Sequence, residues 1–193
     1  NEAKTGETVT QKIVIANSEI LRNTTFGYGI NSDGNITDKA SQITTSYGAL
    51  CNGTAVYEGF ARLFRDVLTE MDMENVLVKG YILNENESFV PAMWNYVKIN
   101  NAWYAIDAGL NSQSTRQQEY LLVGQNQMKF KHYTSEIISN NTFEFDYPEL
   151  STEYYGYVAD VEVNCSFTST MTLNASYLGK NAANLAKNQQ FLA

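Results

Sequence analysis

The sequence predicts an α+β domain in which one long helix packs on an antiparallel β-sheet. Apolar residues recur at helical spacing from Val56 to Met71, and the segments that follow are rich in the β-branched and aromatic residues of strands. With 193 residues, 44% of them hydrophobic, the chain is long enough to bury one core. We expect a core domain over residues 1–154. A C-terminal hairpin and tail over residues 155–193 belongs to the same domain or begins a second.

The first predicted element is an amphipathic helix that ends near Asn23. Its apolar residues lie three to four positions apart, at Val9, Ile13, Ala16 and Ile20. The next segment, Phe26 to Ser41, is rich in Gly, Asn, Asp and Ser, which predicts a loop. A loop of this length is more often functional or well packed than idle.

The strongest helical pattern in the chain follows the cap-compatible sequence Asn52-Gly53-Thr54. Its apolar residues fall on one stripe, at Val56, Phe60, Phe64, Val67 and Met71. The N-terminus of a helix concentrates unpaired backbone N–H groups. Tyr57 is therefore close to a position where an anionic nucleophile or an oxyanion would be stabilised.

Three consecutive segments have the composition of strands: Asn75 to Leu83, Val90 to Ile99, and Ala102 to Ala108. The last two are joined by Asn100-Asn101, a pair that tolerates the left-handed conformations of a tight hairpin turn. These segments predict a meander packed on the Val56 helix. Further strand or irregular segments are expected around Tyr120 to Val123 and Phe143 to Phe145.

The C-terminal part has a different pattern. Beyond Tyr154, apolar residues alternate in two runs, residues 161–167 and 171–177, with Thr168 to Thr170 between them. This alternation predicts a hairpin with one buried face. Residues 181–193 are expected to form a short helix with little apolar area.

Charge and hydropathy exclude two classes of partner. A net charge of -8 with a pI near 4.6 argues against nucleic-acid binding, because such proteins concentrate Lys and Arg on one face. The scattered acidic residues predict a solvated surface rather than a site for a cationic ligand. No apolar run approaches the roughly 20 residues that span a bilayer. Residues 1–10 lack the features of a signal peptide, so we expect a soluble, mature or trimmed chain without membrane insertion.

The two cysteines, Cys51 and Cys165, allow at most one disulfide and form no metal-ligand cluster with the single histidine, His132. We therefore expect no metal or other cofactor. Three interpretations of Cys51 are open: a buried or half-buried small hydrophobe, which is favoured, a disulfide with Cys165 in an oxidising compartment, or a nucleophile. His132 is expected to be a surface or packed residue without a catalytic role.

Five short blocks occur in an order that resembles bacterial transglutaminase-like domains, which are relatives of papain. They are Tyr47-Gly48-Ala49-Leu50, Ala55-Val56-Tyr57-Glu58-Gly59-Phe60-Ala61, Val78-Lys79-Gly80, Ala92-Met93-Trp94-Asn95 and Trp103-Tyr104-Ala105-Ile106-Asp107. The resemblance covers roughly residues 13–134, and the ordered set is far more specific than any one block. It implies a papain-like core.

The resemblance also implies where a catalytic triad would lie. Members of that family read V-C-x-G-Y-A at the helix start, H-x-W-N on the next strand and W-Y-x-x-D on the following one. A thiolate at the helix N-terminus attacks a carbonyl, the imidazole moves the proton, and the carboxylate orients the imidazole. The cysteine position is Tyr57 in this chain, the histidine position is Ala92, and the aspartate position is Asp107.

Of the three triad positions, only Asp107 carries the residue of the family, so we predict that no catalytic triad is intact. A phenol with a reference pKa near 10 is a poor nucleophile at neutral pH, and alanine cannot move a proton. Because triad members act as one unit, acyl transfer is expected to fall to background. One alternative is an active cysteine-dependent acyl transferase or protease that uses Cys51. Another is an engineered inactive variant, although the bulky Cys-to-Tyr change favours a natural pseudoenzyme.

The remaining aromatic residues allow two interpretations. Trp94, Trp103 and Tyr104 are most simply core residues of the meander. The more specific hypothesis is that a remnant of the substrate groove holds a peptide or a sugar. This groove would be lined by Tyr47, Tyr57, Trp94 and Asp107. Tyr57 either plugs this groove or binds the ligand. Asp107, without an imidazole partner, would be kept for backbone capping or for ligand contact.

The leading functional hypothesis is a catalytically inactive binding or structural module of a secreted or cell-surface protein. Its partner would be a protein or peptide, with a glycan as the alternative. The extracellular location is an expectation that depends on the resemblance, the acidic polar composition and the small number of cysteines.

Overall fold

The computed structural model describes residues 8–84, 86–116, 118–128, 131–134 and 146–155. The segment at 143–145, predicted as a strand or irregular, the C-terminal hairpin and the tail helix lie outside these residues, as does Cys165. The chain divides into two compact units, one of residues 14–155 and one of residues 1–13 with 156–193. The predicted domain limits, 1–154 and 155–193, stay a prediction.

The described elements run from an N-terminal helix into a helix-rich segment and then a sheet. The helices are α1 (Val9–Asn23), α2 (Ser46–Asn52), α3 (Tyr57–Glu70), α4 (Ala108–Gln113) and α5 (Gln125–Met128), with a 3-10 helix at Asp38–Gln42. The strands are β1 (Thr25–Phe26), β2 (Thr54–Ala55), β3 (Asn75–Leu83), β4 (Phe89–Ile99), β5 (Ala102–Ile106), β6 (Leu121–Val123) and β7 (His132–Thr134). The predicted first helix, ending near Asn23, is confirmed by α1.

Five strands form the main sheet in the order β6-β5-β4-β3-β7, and every neighbouring pair is antiparallel. The predicted meander is confirmed as β3, β4 and β5. Asn100 and Asn101 connect the last two with φ values of 49° and 68°, so both adopt the left-handed conformation expected of this turn. Strands β1 and β2 form a separate parallel pair.

Helix α3 packs on this sheet and confirms the predicted α+β class. Its buried side includes Phe60, Phe64 and Leu68, each with no exposed surface. Asn95 of β4 is also fully buried, and its Nδ2 donates a hydrogen bond of 3.0 Å to the carbonyl oxygen of Ala61 on α3. This bond ties the backbone of α3 to the sheet.

Two predicted boundaries are wrong for local reasons. The third strand ends at Ile106 rather than Ala108, because the Asp107 side chain accepts a bond from the Leu110 N–H and caps α4. The sequence Asn52-Gly53-Thr54 does not cap α3, since Gly53 ends α2 in the left-handed conformation with φ 65°. The N-cap residue of α3 is Val56, which has no side-chain cap hydrogen bond.

No helix of the described residues has both the length and the apolar character that crossing a membrane requires.

Candidate functional site

Tyr57 is the first residue of α3, and both parts of its side chain are engaged. The ring packs on the ring of Phe26, with centroids 4.7 Å apart, and lies against the backbone of Gly109. The hydroxyl accepts a hydrogen bond of 3.0 Å from Nε2 of Gln113, which also donates to the carbonyl of Gly109. Tyr57 therefore joins the start of α3 to β1 and to α4.

The surroundings of Tyr57 oppose a phenolate. Burial raises the pKa of the Tyr57 phenol above its ordinary value of 10.0. The hydrogen bond from Gln113 lowers this pKa in part, while the negative charges of Asp107 and Tyr28 raise it. A protonated phenol is a weaker nucleophile than the thiolate expected at this position.

Asp107 lies directly after β5 and has no exposed surface. Its Oδ1 accepts a hydrogen bond of 2.8 Å from the backbone N–H of Leu110. Its Oδ2 lies 2.9 Å from Nε2 of His132. The predicted capping role is present, but the carboxylate also has an imidazole partner, which the sequence analysis did not foresee.

Gly109 holds Tyr57 and Asp107 close together. A Cβ atom at Gly109 would lie 2.6 Å from Cδ1 of Tyr57 and 3.3 Å from Oδ1 of Asp107. Only a glycine leaves room for this approach. Two of the three expected triad positions are thus neighbours across the backbone of α4.

His132 begins β7 and is buried, with 8% of its surface exposed. Its ring contacts the rings of Trp94 and Tyr120, at centroid distances of 4.9 Å and 5.6 Å. The packed alternative for His132 is correct and the surface alternative is wrong. The expectation that Asp107 lacks an imidazole is also wrong, because β7 supplies one from the far end of the sheet.

Ala92 and Trp94 belong to the core rather than to an open groove. Both lie on β4, and their exposed fractions are 5% and 1%. Gly80 pairs with Ala92 across β3 and β4, and a Cβ at Gly80 would lie 2.7 Å from Cη2 of Trp94. The prediction that Trp94 lines an accessible groove is wrong, because close packing against β3 and His132 covers the indole.

Tyr47 and Cys51 lie on α2, where both are exposed, Tyr47 to 58%. The expectation of a buried or half-buried Cys51 is therefore wrong. A thiol on the surface does not pair with His132, whose side chain is 1% exposed and bonded to Asp107. Pairing of Cys51 with Cys165 stays a prediction, since Cys165 lies outside the described residues.

The site residues that the sequence analysis missed are His132, Gly109 and Gln113. One signal was available: a buried carboxylate needs a partner, and the chain has a single histidine. Within the described ranges, His, Cys, Asp and Glu side chains form no group of three that could hold a metal ion.

Comparison with known proteins found similar solved structures. A protein solved as a TGase aligns with a TM-score of 0.43 and 13% identity, over 73% of this chain and 30% of its own. A proposed cysteine protease from Cytophaga hutchinsonii aligns with a TM-score of 0.39 and 16% identity, over 54% of this chain and 33% of its own. This chain thus spans about a third of either protein. No family model and no curated protein matches the sequence.

Proposed function

We propose that this chain is a catalytically inactive transglutaminase-like domain that serves as a binding or structural module of a secreted or cell-surface protein. The main support for the proposal is the residue that occupies the position expected for the nucleophile. Tyr57 stands there with its ring packed on Phe26 and its hydroxyl bonded to Gln113. In this proposal the Tyr57 side chain fills the former catalytic site and does not bind a ligand.

The Asp107–His132 pair supports the same conclusion. Their side chains are 0% and 1% exposed, so a substrate carbonyl has no access to this imidazole. A general base must come within hydrogen-bonding reach of the proton that it removes. The pair therefore acts as a structural bond between β7 and the start of α4.

Acyl-transfer assays test catalytic inactivity. We expect the unmodified chain to give no peptide hydrolysis or amine transfer above background, with no change after treatment with iodoacetamide. Turnover that is abolished by Cys51→Ser would overturn the proposal and establish the alternative, an enzyme that uses Cys51. Rapid alkylation of Cys51 at pH 6 to 7 would point the same way.

A reconstructed site provides the positive control. In a Cys51→Ser background, Tyr57→Cys with Ala92→His places a thiol and an imidazole at the two substituted positions. We expect this thiol to react with iodoacetamide at pH 6 to 7 faster than Cys51 does in the unmodified chain, because the helix N-terminus and the imidazole favour the thiolate. A slow thiol in a folded variant would remove the support for the family assignment.

A loop next to Tyr57 is the candidate binding surface. We call it the loop patch: Tyr28, Ile30 and Ile36, exposed to 59%, 56% and 80%. Ile30 and Ile36 form an antiparallel bridge, and the Thr37 N–H donates to the Gly29 carbonyl at 2.8 Å. An ordered loop that presents apolar side chains to solvent is typical of an interaction site.

The apolar character of the loop patch favours a protein or peptide partner, with a glycan as the alternative. Peptide and glycan arrays probed with the whole chain distinguish the two. We expect peptide signals that are lost in Ile30→Gln with Ile36→Gln and kept in Ile15→Gln, a control on α1 whose isoleucine is 46% exposed. Equal signals from both variants would exclude the loop patch, and glycan signals alone would favour the alternative.

A further inference from the structure

Two buried polar atoms lie on touching rings in the core. Nε1 of Trp94 and Nδ1 of His132 have no hydrogen-bond partner among the residues that the structure describes. Trp94 is 1% exposed, and the side chain of His132 is also 1% exposed. The ring centroids are 4.9 Å apart, and the planes meet at 74°. Buried polar atoms in folded proteins are nearly always hydrogen bonded, to protein or to ordered water.

The two atoms have complementary character. Nε2 of His132 faces Oδ2 of Asp107 at 2.9 Å, and a carboxylate only accepts, so Nε2 carries a proton that it donates. In the neutral imidazole, Nδ1 is then a bare acceptor. The indole Nε1–H of Trp94 is only a donor. The pair needs a molecule that can both donate and accept.

We propose that one buried water molecule binds between Trp94 and His132. It donates a hydrogen bond to Nδ1 of His132 and accepts one from the Nε1–H of Trp94. Trp94 belongs to a buried core cluster whose other members include Val78, Ile82 and Ala92. A single water is the smallest ligand with the required donor and acceptor.

This water completes a chain of hydrogen bonds through the core. The chain runs from Trp94 on β4 to His132 on β7, then to Asp107 and the Leu110 N–H of α4. Asp107 fixes the tautomer of His132, since only a protonated Nε2 can donate to Oδ2, and the water then donates to Nδ1.

Nuclear magnetic resonance of the unmodified chain tests the site, because the sequence has only 2 tryptophans. Trp103→Phe assigns the two indole N–H signals. We expect the Trp94 indole proton to give a water cross-peak with the sign of a long-lived bound molecule and to exchange slowly. Trp103, which is partly exposed, is the matched control and should show only contact with bulk solvent.

Nitrogen spectra of the His132 ring give the second measurement, with a proton expected on Nε2 and none on Nδ1. Tyr120→Phe excludes the Tyr120 hydroxyl as the source of the cross-peak, which should persist. A Trp94 proton without a water cross-peak would overturn the proposal. So would a proton on Nδ1 of His132 with none on Nε2, since Nε2 would then have no proton to donate to Asp107 and Nδ1 could not accept from the water.

Discussion

Asp107 and His132 join two strands that are not neighbours in the sheet. Asp107 follows β5 and His132 begins β7, with β4 and β3 between these strands, yet Oδ2 and Nε2 are 2.9 Å apart. The edge strand β7 pairs with β3 over three residues, Gly80 to Ile82. The buried bond therefore supplements a short ladder of backbone hydrogen bonds.

The first prediction concerns this bond. Replacing His132 by Ala should destabilise the chain by about 3–5 kcal/mol, because it leaves the Asp107 carboxylate buried without its partner and opens a cavity. Urea denaturation measures the loss. In a double-mutant cycle of Asp107→Asn and His132→Gln, we expect a coupling of about 0.5–3 kcal/mol. Additive effects would mean that the two side chains do not interact in solution.

The second prediction concerns alkaline pH. Burial raises the pKa of Tyr120 to about 12, and the charges of Glu119 and Asp107 add to the rise. The folded state thus keeps a proton that the unfolded state, with a phenol pKa near 10, releases. The stabilisation is complete below about pH 10 and is lost as the pH rises toward about 12. We expect about 1 kcal/mol of loss after allowing for partial exposure.

Denaturation at several pH values checks this effect. Tyr120→Phe should flatten the pH dependence between about pH 10 and 12. Tyr28→Phe, which removes a phenol that is 59% exposed, is measured beside it for comparison. An unchanged slope in Tyr120→Phe would contradict the prediction.

The third prediction concerns the close approach of Tyr57 and Gly109. Gly109→Ala places a methyl group 2.6 Å from Cδ1 of Tyr57, so the variant should lose about 1–3 kcal/mol of stability. The loss should shrink in a Tyr57→Ala background, where the ring is absent. Thermal or urea denaturation of the four chains measures it. Equal losses in both backgrounds would show that the ring does not press on Gly109.

The sheet and α3 could be predicted because their signals are local. Strand β3, Asn75–Leu83, follows from a segment rich in valine, isoleucine and tyrosine, and the stripe of α3 follows from its spacing. Helix α4 could not be predicted, because its sequence pattern covers only 6 residues and includes a glycine, which disfavours helices. The side-chain cap of Asp107 overrides that preference.

Only part of the candidate site could be predicted, because some of its residues lie in local sequence blocks and others do not. Tyr57 and Asp107 fall in ordered sequence blocks, and the structure brings them together across Gly109. The partner of Asp107 is different: His132 lies on a strand of three residues, and its contact with Asp107 depends on how distant strands come together. No local pattern encodes such a contact. The burial of Trp94 depends likewise on Gly80, which lets β3 approach the indole.

The last prediction concerns the turn between β4 and β5. Asn100 and Asn101 both have positive φ, at 49° and 68°, in a two-residue loop, which is the requirement of a type I′ turn. Asparagine tolerates this conformation at a cost, whereas glycine at the second position adopts it without strain. Asn101→Gly should therefore stabilise the chain by a few tenths of a kcal/mol, up to about 1.

The opposite change gives the control for this turn. Asn101→Ala adds a residue that disfavours positive φ and should destabilise the chain by about 1 kcal/mol, with no packing loss because Asn101 is exposed. We expect urea denaturation to give the highest free energy of unfolding for the chain with Gly at position 101, a lower one with Asn and the lowest with Ala. If the alanine variant equalled the original chain, the turn would adopt another conformation in solution, and the register of β4 with β5 would not be set by Asn100-Asn101.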